Sequence, residues 1–375
     1  MAAASTPAFP HFPLEDYRHH AAEIDAAVAG TLARGDYILG REVAAFEREF
    51  AAFVGVGHAV GVANGTDAIE LMLRALGIGH GDRVVVPSHT AVASAAGIER
   101  AGAQPVFCDI DTATCTLCPQ ALDDLMASPH GVKVKAVLAV HLYGHPADWA
   151  GLAEVADRHG LILLEDCAQA HGATVEGRQV GSSGTAAAFS FYPTKNLGAI
   201  GDGGAVTTDD AALAGRLRSL RQYGWVERYV SREAGVNSRL DELQAAILRV
   251  KLRSLGSGVV RRRELAAAYA RGLAGLPDPI LPAVRPGCGH AFHLHVVRSR
   301  SRDRLLRHLA DSGVPVALHY PAAVHQQPGY ARAALASPAL PRTEEVVRTI
   351  LTLPLHPYLG EEAIGFVCER IRLFR

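Results

Sequence analysis

Lysine is scarce in this chain, so any chemistry that needs a nucleophilic amine has four candidates: Lys133, Lys135, Lys195 and Lys251. A reactive amine has to be held in a polar pocket, often with a lowered pKa, rather than left in solvent. Lys133 and Lys135 alternate along a run that leads into a strand and read as solvated edge charges, and Lys251 shares a helix with Arg249 and Arg253. Lys195 differs, because it follows Phe189-Ser-Phe-Tyr-Pro-Thr, the end of an apolar strand pattern, and precedes a glycine-rich stretch that runs to Gly204. In open α/β sheets ligands bind at the C-terminal strand ends. The plain alternative is a surface-turn lysine.

Asp166 closes the apolar run Leu161-Ile-Leu-Leu164, which reads as a strand buried on both faces. A carboxylate at such a position costs several kcal/mol to desolvate unless a cation or donor meets it. A pyridinium nitrogen is one such partner, and a capping or ion-pair role is the alternative. A third feature, Asn64-Gly-Thr-Asp-Ala-Ile69, follows a strand and opens a helix, where free N–H groups and the positive helix end could seat a phosphate. The same residues would also serve as a simple N-cap. Amine, acid and phosphate seat on three separate strand ends together describe pyridoxal 5'-phosphate (PLP), whose enzymes pair a cofactor-bearing lysine with an acid at the ring nitrogen.

The elements that must hold these groups are legible as alternation. Between about residues 58 and 210, short β-branched runs alternate with helical stretches, the signature of a mostly parallel sheet. Strands are expected at 59–62, 84–87, 106–109, 134–140, 161–165, 187–192 and 204–207, with helices at 66–76, 91–101 and 147–159. A large domain at residues 1–255 should therefore precede a smaller C-terminal α/β domain at 256–375, beginning after the Gly/Ser break Leu255-Gly-Ser-Gly258 with an Arg-rich helix over 259–273.

Composition narrows the function classes. The 37 Lys+Arg and 38 Asp+Glu of the 375 residues nearly cancel, so no basic field suggests nucleic acid or an anionic membrane as partner. With 49% hydrophobic and 20% charged residues the chain reads as an ordinary packed globule. No apolar run approaches the ~20 residues of a membrane helix, and the first residues lack the pattern of a secretion signal, so a cytoplasmic protein is expected. Six cysteines are too few for a disulfide framework. Neither Cys115 and Cys118 nor His141 and His145 has a second ligand pair nearby, so no metal is expected.

Seven ordered blocks carry a resemblance: Asn64-Gly-Thr-Asp-Ala68, Pro87-Ser-His-Thr90, His141-Leu-Tyr-Gly-His-Pro-Ala-Asp148, Glu165-Asp-Cys-Ala-Gln-Ala-His-Gly172, Phe189-Ser-Phe-Tyr-Pro-Thr-Lys-Asn-Leu-Gly198, Gly201-Asp-Gly-Gly-Ala205 and Asn237-Ser-Arg-Leu-Asp-Glu-Leu-Gln-Ala-Ala246. The chain thereby resembles the DegT/DnrJ/EryC1/StrS sugar aminotransferases, closely from about Asp36 to Leu255 and more loosely beyond. The resemblance implies PLP-dependent aminotransferase fold type I, with a mostly parallel seven-stranded sheet, and a homodimer with shared active sites. It makes Lys195 the lysine that carries the cofactor and Asp166 the partner of the ring nitrogen. It places Gln169 near the ring hydroxyl, Gly65, Thr66 and Ser190 at the phosphate, and Asn237 at the phosphate of the second subunit. Many relatives have an aromatic residue over the ring where this chain has Ala91, so Val92, His141 or His171 is expected to cover that face.

The reaction so implied takes an amino group from L-glutamate and delivers it to a nucleotide-linked keto-sugar. The segment Leu318-His-Tyr-Pro-Ala-Ala-Val-His-Gln-Gln-Pro-Gly-Tyr330 and His171 most resemble enzymes that aminate C-3 of dTDP-3-oxo-6-deoxyhexoses. On that reading His171, Tyr192, His319 and Tyr320 line the sugar site, and Arg228 reaches the diphosphate from the second subunit. Loop packing is the plain alternative for His319 and Tyr320. The rival functions are the same chemistry on a 4-keto sugar or keto-cyclitol, and a PLP-binding regulator without turnover.

Overall fold

The structure, a computed structural model, describes residues 7–374. The stretch 1–6, where no secretion signal was read, lies outside them, as does residue 375, and the expected domain bounds 1 and 375 fall there too. Helices α1 (Phe12–Arg34) and α2 (Arg41–Val54) come first. The α2 N-terminus is held by Glu242, a fully buried carboxylate that accepts the N–H groups of Gly40, Glu42 and Val43 at 2.8–2.9 Å. A negative charge at the positive helix end is favourable.

Then the alternation begins: β1 (His58–Val62), α3 (Gly65–Ala75), β2 (Arg83–Pro87), α4 (Val92–Arg100), β3 (Gln104–Cys108), α5 (Pro119–Met126), β4 (Val134–Val140), α6 (Trp149–His159) and β5 (Ile162–Asp166). A two-residue hairpin, β6 (Thr174–Val175) and β7 (Arg178–Gln179), leads to β8 (Ala187–Ser190) and β9 (Gly204–Thr208). The seven long strands form one sheet in the order β1-β9-β8-β5-β4-β2-β3. Six run the same way; β9 alone runs against its neighbours β1 and β8.

All seven expected strands and three expected helices are present, with ends shifted by at most two residues; the β8 run stops at Ser190 rather than Tyr192. Both sheet faces are covered, which is why these strands are nearly continuous apolar runs. Along β2, Val84 and Val86 pack with Ile69, Leu73 and Ile98 of α3 and α4, while Val85 packs with Leu122, Leu125, Leu152 and Val155 of α5 and α6. Helix α6 is fixed at both ends, by Asp148 accepting from Gly151 N–H and by Gly160 at φ 64°.

After α7 (Ala211–Leu220), an exposed hairpin of β10 (Trp225–Glu227) and β11 (Val230–Ser231) precedes α8 (Glu242–Leu252) and α9 (Leu255–Gly272). The Gly/Ser stretch expected to break the chain is instead the first turn of α9, where glycine needs no special conformation. Beyond it, β12 (Cys288–Gly289) pairs with β6, and β13 (His295–Arg298) pairs antiparallel with β14 (Ile350–Leu353). Helices α10 (Arg302–Asp311), α11 (Ala331–Leu335), α12 (Pro341–Thr349) and α13 (Glu361–Leu373) complete the fold. Leu265, Tyr269, Val297, Leu305, Leu351 and Val367 belong to an apolar core separate from those on the sheet. No described helix is long and apolar enough to cross a membrane.

Candidate active site

The C-terminal ends of β4, β5 and β8 and the N-terminus of α3 open onto one cavity of about 520 Å³. After β8, Phe191 N–H still pairs with Gly203 C=O, and then a turn closed by Lys195 N–H to Tyr192 C=O swings Lys195 into the cavity wall. Desolvation lowers the Lys195 ammonium from 10.5 to about 8, and the Asp166 carboxylate opposes that shift. The amine is therefore far easier to free of its proton than an ordinary lysine.

Asp166, 4% exposed, ends β5 opposite Val140 of β4 and Ala188 of β8. Its Oδ1 accepts Ala168 N–H at 3.0 Å and its Oδ2 accepts the Ser94 hydroxyl at 2.7 Å. Because Ser94 donates to the carboxylate, its oxygen receives the Thr90 hydroxyl at 2.9 Å. The sequence gives no role to Ser94 or Thr90; the only hint is that Thr90 ends the block Pro87-Ser-His-Thr90 and Ser94 follows it by four residues.

At the opposite side, Asn64 Oδ1 caps Asp67 N–H at 2.8 Å, and Gly65 and Thr66 beside it line the cavity. The first-turn N–H groups have no intrahelical partner. A Cβ on Gly65 would lie 2.6 Å from Ser190 Cβ, so the missing side chain is what lets the helix end sit against β8. Helix end, buried amine and buried carboxylate are the three features a phosphorylated pyridine aldehyde requires, and all three face one space. The donor set fits PLP.

Gln169, Tyr192, His319 and Tyr320 also line the cavity, Tyr192 at 53% exposure on its rim. His171 does not. It is 1% exposed, with its ring centroid 5.4 Å from that of Phe189 and 5.7 Å from that of Phe191. Nor does His171, Val92 or His141 cover the face left by Ala91: none lines the cavity, and Val92 is 38% exposed. His141 is committed elsewhere, its Nε2 donating to Glu165 at 3.0 Å and its Nδ1 accepting Ala147 N–H. The apolar lining comes instead from Ile69, Ala91, Val140, Leu142, Ala168 and Leu294.

Asn237 and Arg228 stand apart from this cavity in their own chain. Asn237 lines a neighbouring space with Ile38, Arg239 and Gln244, and Arg228 sits in the exposed β10–β11 turn with its guanidinium 4.9 Å from the Tyr229 ring.

His141, Glu165 and Cys167 lie close enough to hold a metal ion. Glu165, however, also accepts the N–H groups of Gly181, Ser183 and Gly184 at 2.7–3.0 Å. Burial opposes its charge, yet the His141 imidazole and those N–H groups outweigh it and hold the carboxyl below its ordinary range. Burial pushes the Cys167 thiol well up. The cluster is a buried hydrogen-bonded knot under β5. His145 is likewise engaged, by Pro146 C=O and Arg285 N–H, while Cys115 and Cys118 are buried free thiols.

Lys251 is the other surprise. It is 5% exposed, ion-paired to Asp16 at 2.7 Å and donating to Gly198 C=O at 2.9 Å. It clamps the loop behind Lys195 to α1.

A lysine and an acid on neighbouring ends of a mostly parallel sheet, facing a helix N-terminus, have the architecture of PLP-dependent fold type I. The chain belongs to the DegT/DnrJ/EryC1/StrS aminotransferase family, whose sequence profile matches residues 18–372. It is 49% identical over 370 residues to the dTDP-3-amino-3,4,6-trideoxy-alpha-D-glucose transaminase of Streptomyces venezuelae, covering 98% of this chain and 97% of that one. It is 48% identical over 350 residues to the erythromycin biosynthesis sensory transduction protein EryC1 of Saccharopolyspora erythraea, covering 93% and 94%. The crystal structure of S. venezuelae DesV in complex with a ketimine intermediate matches it with a TM-score of 0.93 at 47% identity, over 98% of each chain.

Proposed function

We propose that this aminotransferase binds PLP through Lys195 and moves an amino group from L-glutamate to C-3 of a dTDP-linked 3-oxo-6-deoxyhexose. The observation that carries the chemistry is the convergence of Lys195, Asp166 and the Gly65–Thr66 helix end on one cavity. The choice of a 3-oxo sugar as substrate rests on the relatives named dTDP-3-amino sugar transaminases. A PLP-binding regulator without turnover has no need of the sugar-side His319 and Tyr320 together with Lys195 and Asp166, and neither the 4-keto sugar nor the cyclitol reading gains a supporting observation.

When bound, PLP supplies an electron sink for the charge left as the α-proton of an amino acid departs. With the cofactor bound, the Lys195 amine would carry that proton between the donor α-carbon and the cofactor C4′ carbon, a task suited to an amine lowered to about 8. Asp166, steadied by Ser94 and Ala168 N–H, keeps a proton on the ring nitrogen. Gly65, Thr66 and Ser190 hold the phosphate, and Gln169 serves the ring hydroxyl. Tyr192, His319 and Tyr320 form the sugar wall. Asn237 and Arg228 act in the site of a second copy, Asn237 at the phosphate and Arg228 at the sugar diphosphate, which makes the working unit a homodimer. Residues 1–255 form the PLP-binding domain and 256–375 the small domain, a division supported by the separate apolar core that α9 shares with the elements after it. The enzyme acts in the cytoplasm.

The test is an absorbance spectrum of the protein with PLP before and after L-glutamate, beside Lys195→Ala. A coloured band that bleaches with glutamate, and is lost in the variant, is expected. The bleached protein should then aminate a dTDP-3-oxo-6-deoxyhexose in preference to its 4-oxo isomer, read by mass spectrometry. No band would overturn the cofactor assignment; amination of the 4-oxo isomer alone would overturn the substrate.

A further inference from the structure

Tyr143 is held with φ at 61° in the turn after β4, a backbone region that tyrosine adopts only under constraint. Every polar group it has is engaged. Its N–H donates to Gln169 Oε1 at 2.7 Å, its C=O accepts Leu294 N–H at 3.2 Å, and its hydroxyl donates to the His319 C=O. Since that hydrogen is spent, the hydroxyl oxygen accepts from His89 Nε2 at 2.6 Å. His89 is fully buried, and burial lowers it to about 4, so it stays a neutral donor at working pH.

The direction of these bonds propagates. A backbone N–H can only donate, so the Gln169 carbonyl faces Tyr143 and its NH₂ must face Tyr320, where it donates to the hydroxyl oxygen at 2.9 Å. The Tyr320 hydroxyl is thereby an acceptor toward Gln169, and its own hydrogen is free for the cavity it lines. Burial pushes that phenol up to about 12, so the hydrogen is retained. His319, pinned by Tyr143 at its carbonyl and by Thr352 Oγ1 at its Nδ1, fixes where Tyr320 stands.

We propose that Tyr143 is a positioning residue, which sets the polarity of the Gln169–Tyr320 pair and pins His319 so that the Tyr320 hydroxyl donates to an acceptor oxygen of the keto-sugar. This rests on the sugar-aminotransferase reading above. It assigns Tyr143 and His89 to the sugar half-reaction, although neither lines the cavity.

Tyr143→Phe keeps the N–H and removes the hydroxyl. In the PLP-loaded enzyme the KM for the keto-sugar should rise about tenfold, the scale of one buried hydrogen bond, with kcat and the glutamate half-reaction changed less than about twofold. Tyr320→Phe should raise the keto-sugar KM by a similar factor, and the KM of the double variant should be little higher than that of either alone, because both act through one hydroxyl. Hydrogen exchange at the amides of residues 317–322, measured without substrate, should quicken in Tyr143→Phe. Equal losses in both half-reactions, additive effects in the double variant, or unchanged exchange would each overturn the proposal. Should Tyr143→Phe not fold, His89→Phe removes the donor to the same hydroxyl, and an unchanged sugar KM there would overturn it as well. If the wild type aminates no keto-sugar, the functional reading falls, while the exchange measurement still judges the role of Tyr143.

Discussion

Replacing Lys195 with methionine keeps the length of the side chain and removes the charge that the cavity wall disfavours. The ammonium is lowered from 10.5 to about 8 by desolvation, against the pull of Asp166. A gap of ~2.5 units at ~1.4 kcal/mol each amounts to about 3 kcal/mol of stability given up at neutral pH. The sign follows from proton counting. Above the unfolded value both states are neutral and no penalty exists; between 10.5 and about 8 the unfolded chain binds a proton that the folded one refuses, so stability falls as pH falls. Below about 8 the full penalty is present. Urea unfolding of the cofactor-free protein, at one protein concentration, should therefore show Lys195→Met more stable than wild type by up to about 3 kcal/mol at pH 7, with the difference fading toward pH 10.5. A variant less stable than wild type at pH 7, or a difference that ignores pH, would refute the idea that this amine is held under strain by its surroundings.

Gly65→Ala brings a Cβ to 2.6 Å from Ser190 Cβ and must shift the helix end; retention of PLP in equilibrium dialysis should weaken at least about tenfold while the melting temperature of the cofactor-free protein moves little. Lys251→Met leaves Asp16 without its cation and the Gly198 carbonyl without its donor, and should cost about 3 kcal/mol in urea unfolding, with slower turnover as the loop behind Lys195 loosens. Glu165→Gln puts an amide NH₂ among the N–H groups of Gly181, Ser183 and Gly184, and a loss of roughly 3 kcal/mol is expected by thermal melting at pH 7. Because the Glu165 carboxyl is held below its ordinary value, its contribution is present above the unfolded carboxyl pKa and fades as pH falls below it, so the gap between wild type and variant should narrow in acid.

What the sequence disclosed was whatever depends on position along a strand. An apolar run puts its last polar residue at the sheet end, so Asp166, Lys195 and the Gly65–Thr66 turn could be read from local pattern, and the cavity contains them. Direction around a loop leaves no such trace. His171 lies two residues after Gln169, yet one faces the cavity and the other Phe189 and Phe191. Partnership across long separations is equally silent: nothing near Lys251 announces Asp16, and nothing near Tyr143 announces His319. The Gly/Ser stretch that opens α9 read as a break in the chain because glycine is common in turns, yet in the first turn of a helix it costs little.

Closing the cavity requires His319 and Tyr320, which stand far along the chain from the Gly65 helix end they face across the site. A ribosome therefore releases the lysine and the phosphate seat long before the wall that encloses them. A nascent or truncated chain ending short of Tyr320 would carry the attachment point for an aldehyde in an open trough, where Gln169 lacks its tyrosine partner. On the proposed reading, a site able to retain its cofactor would belong to the finished polypeptide and not to a partial one.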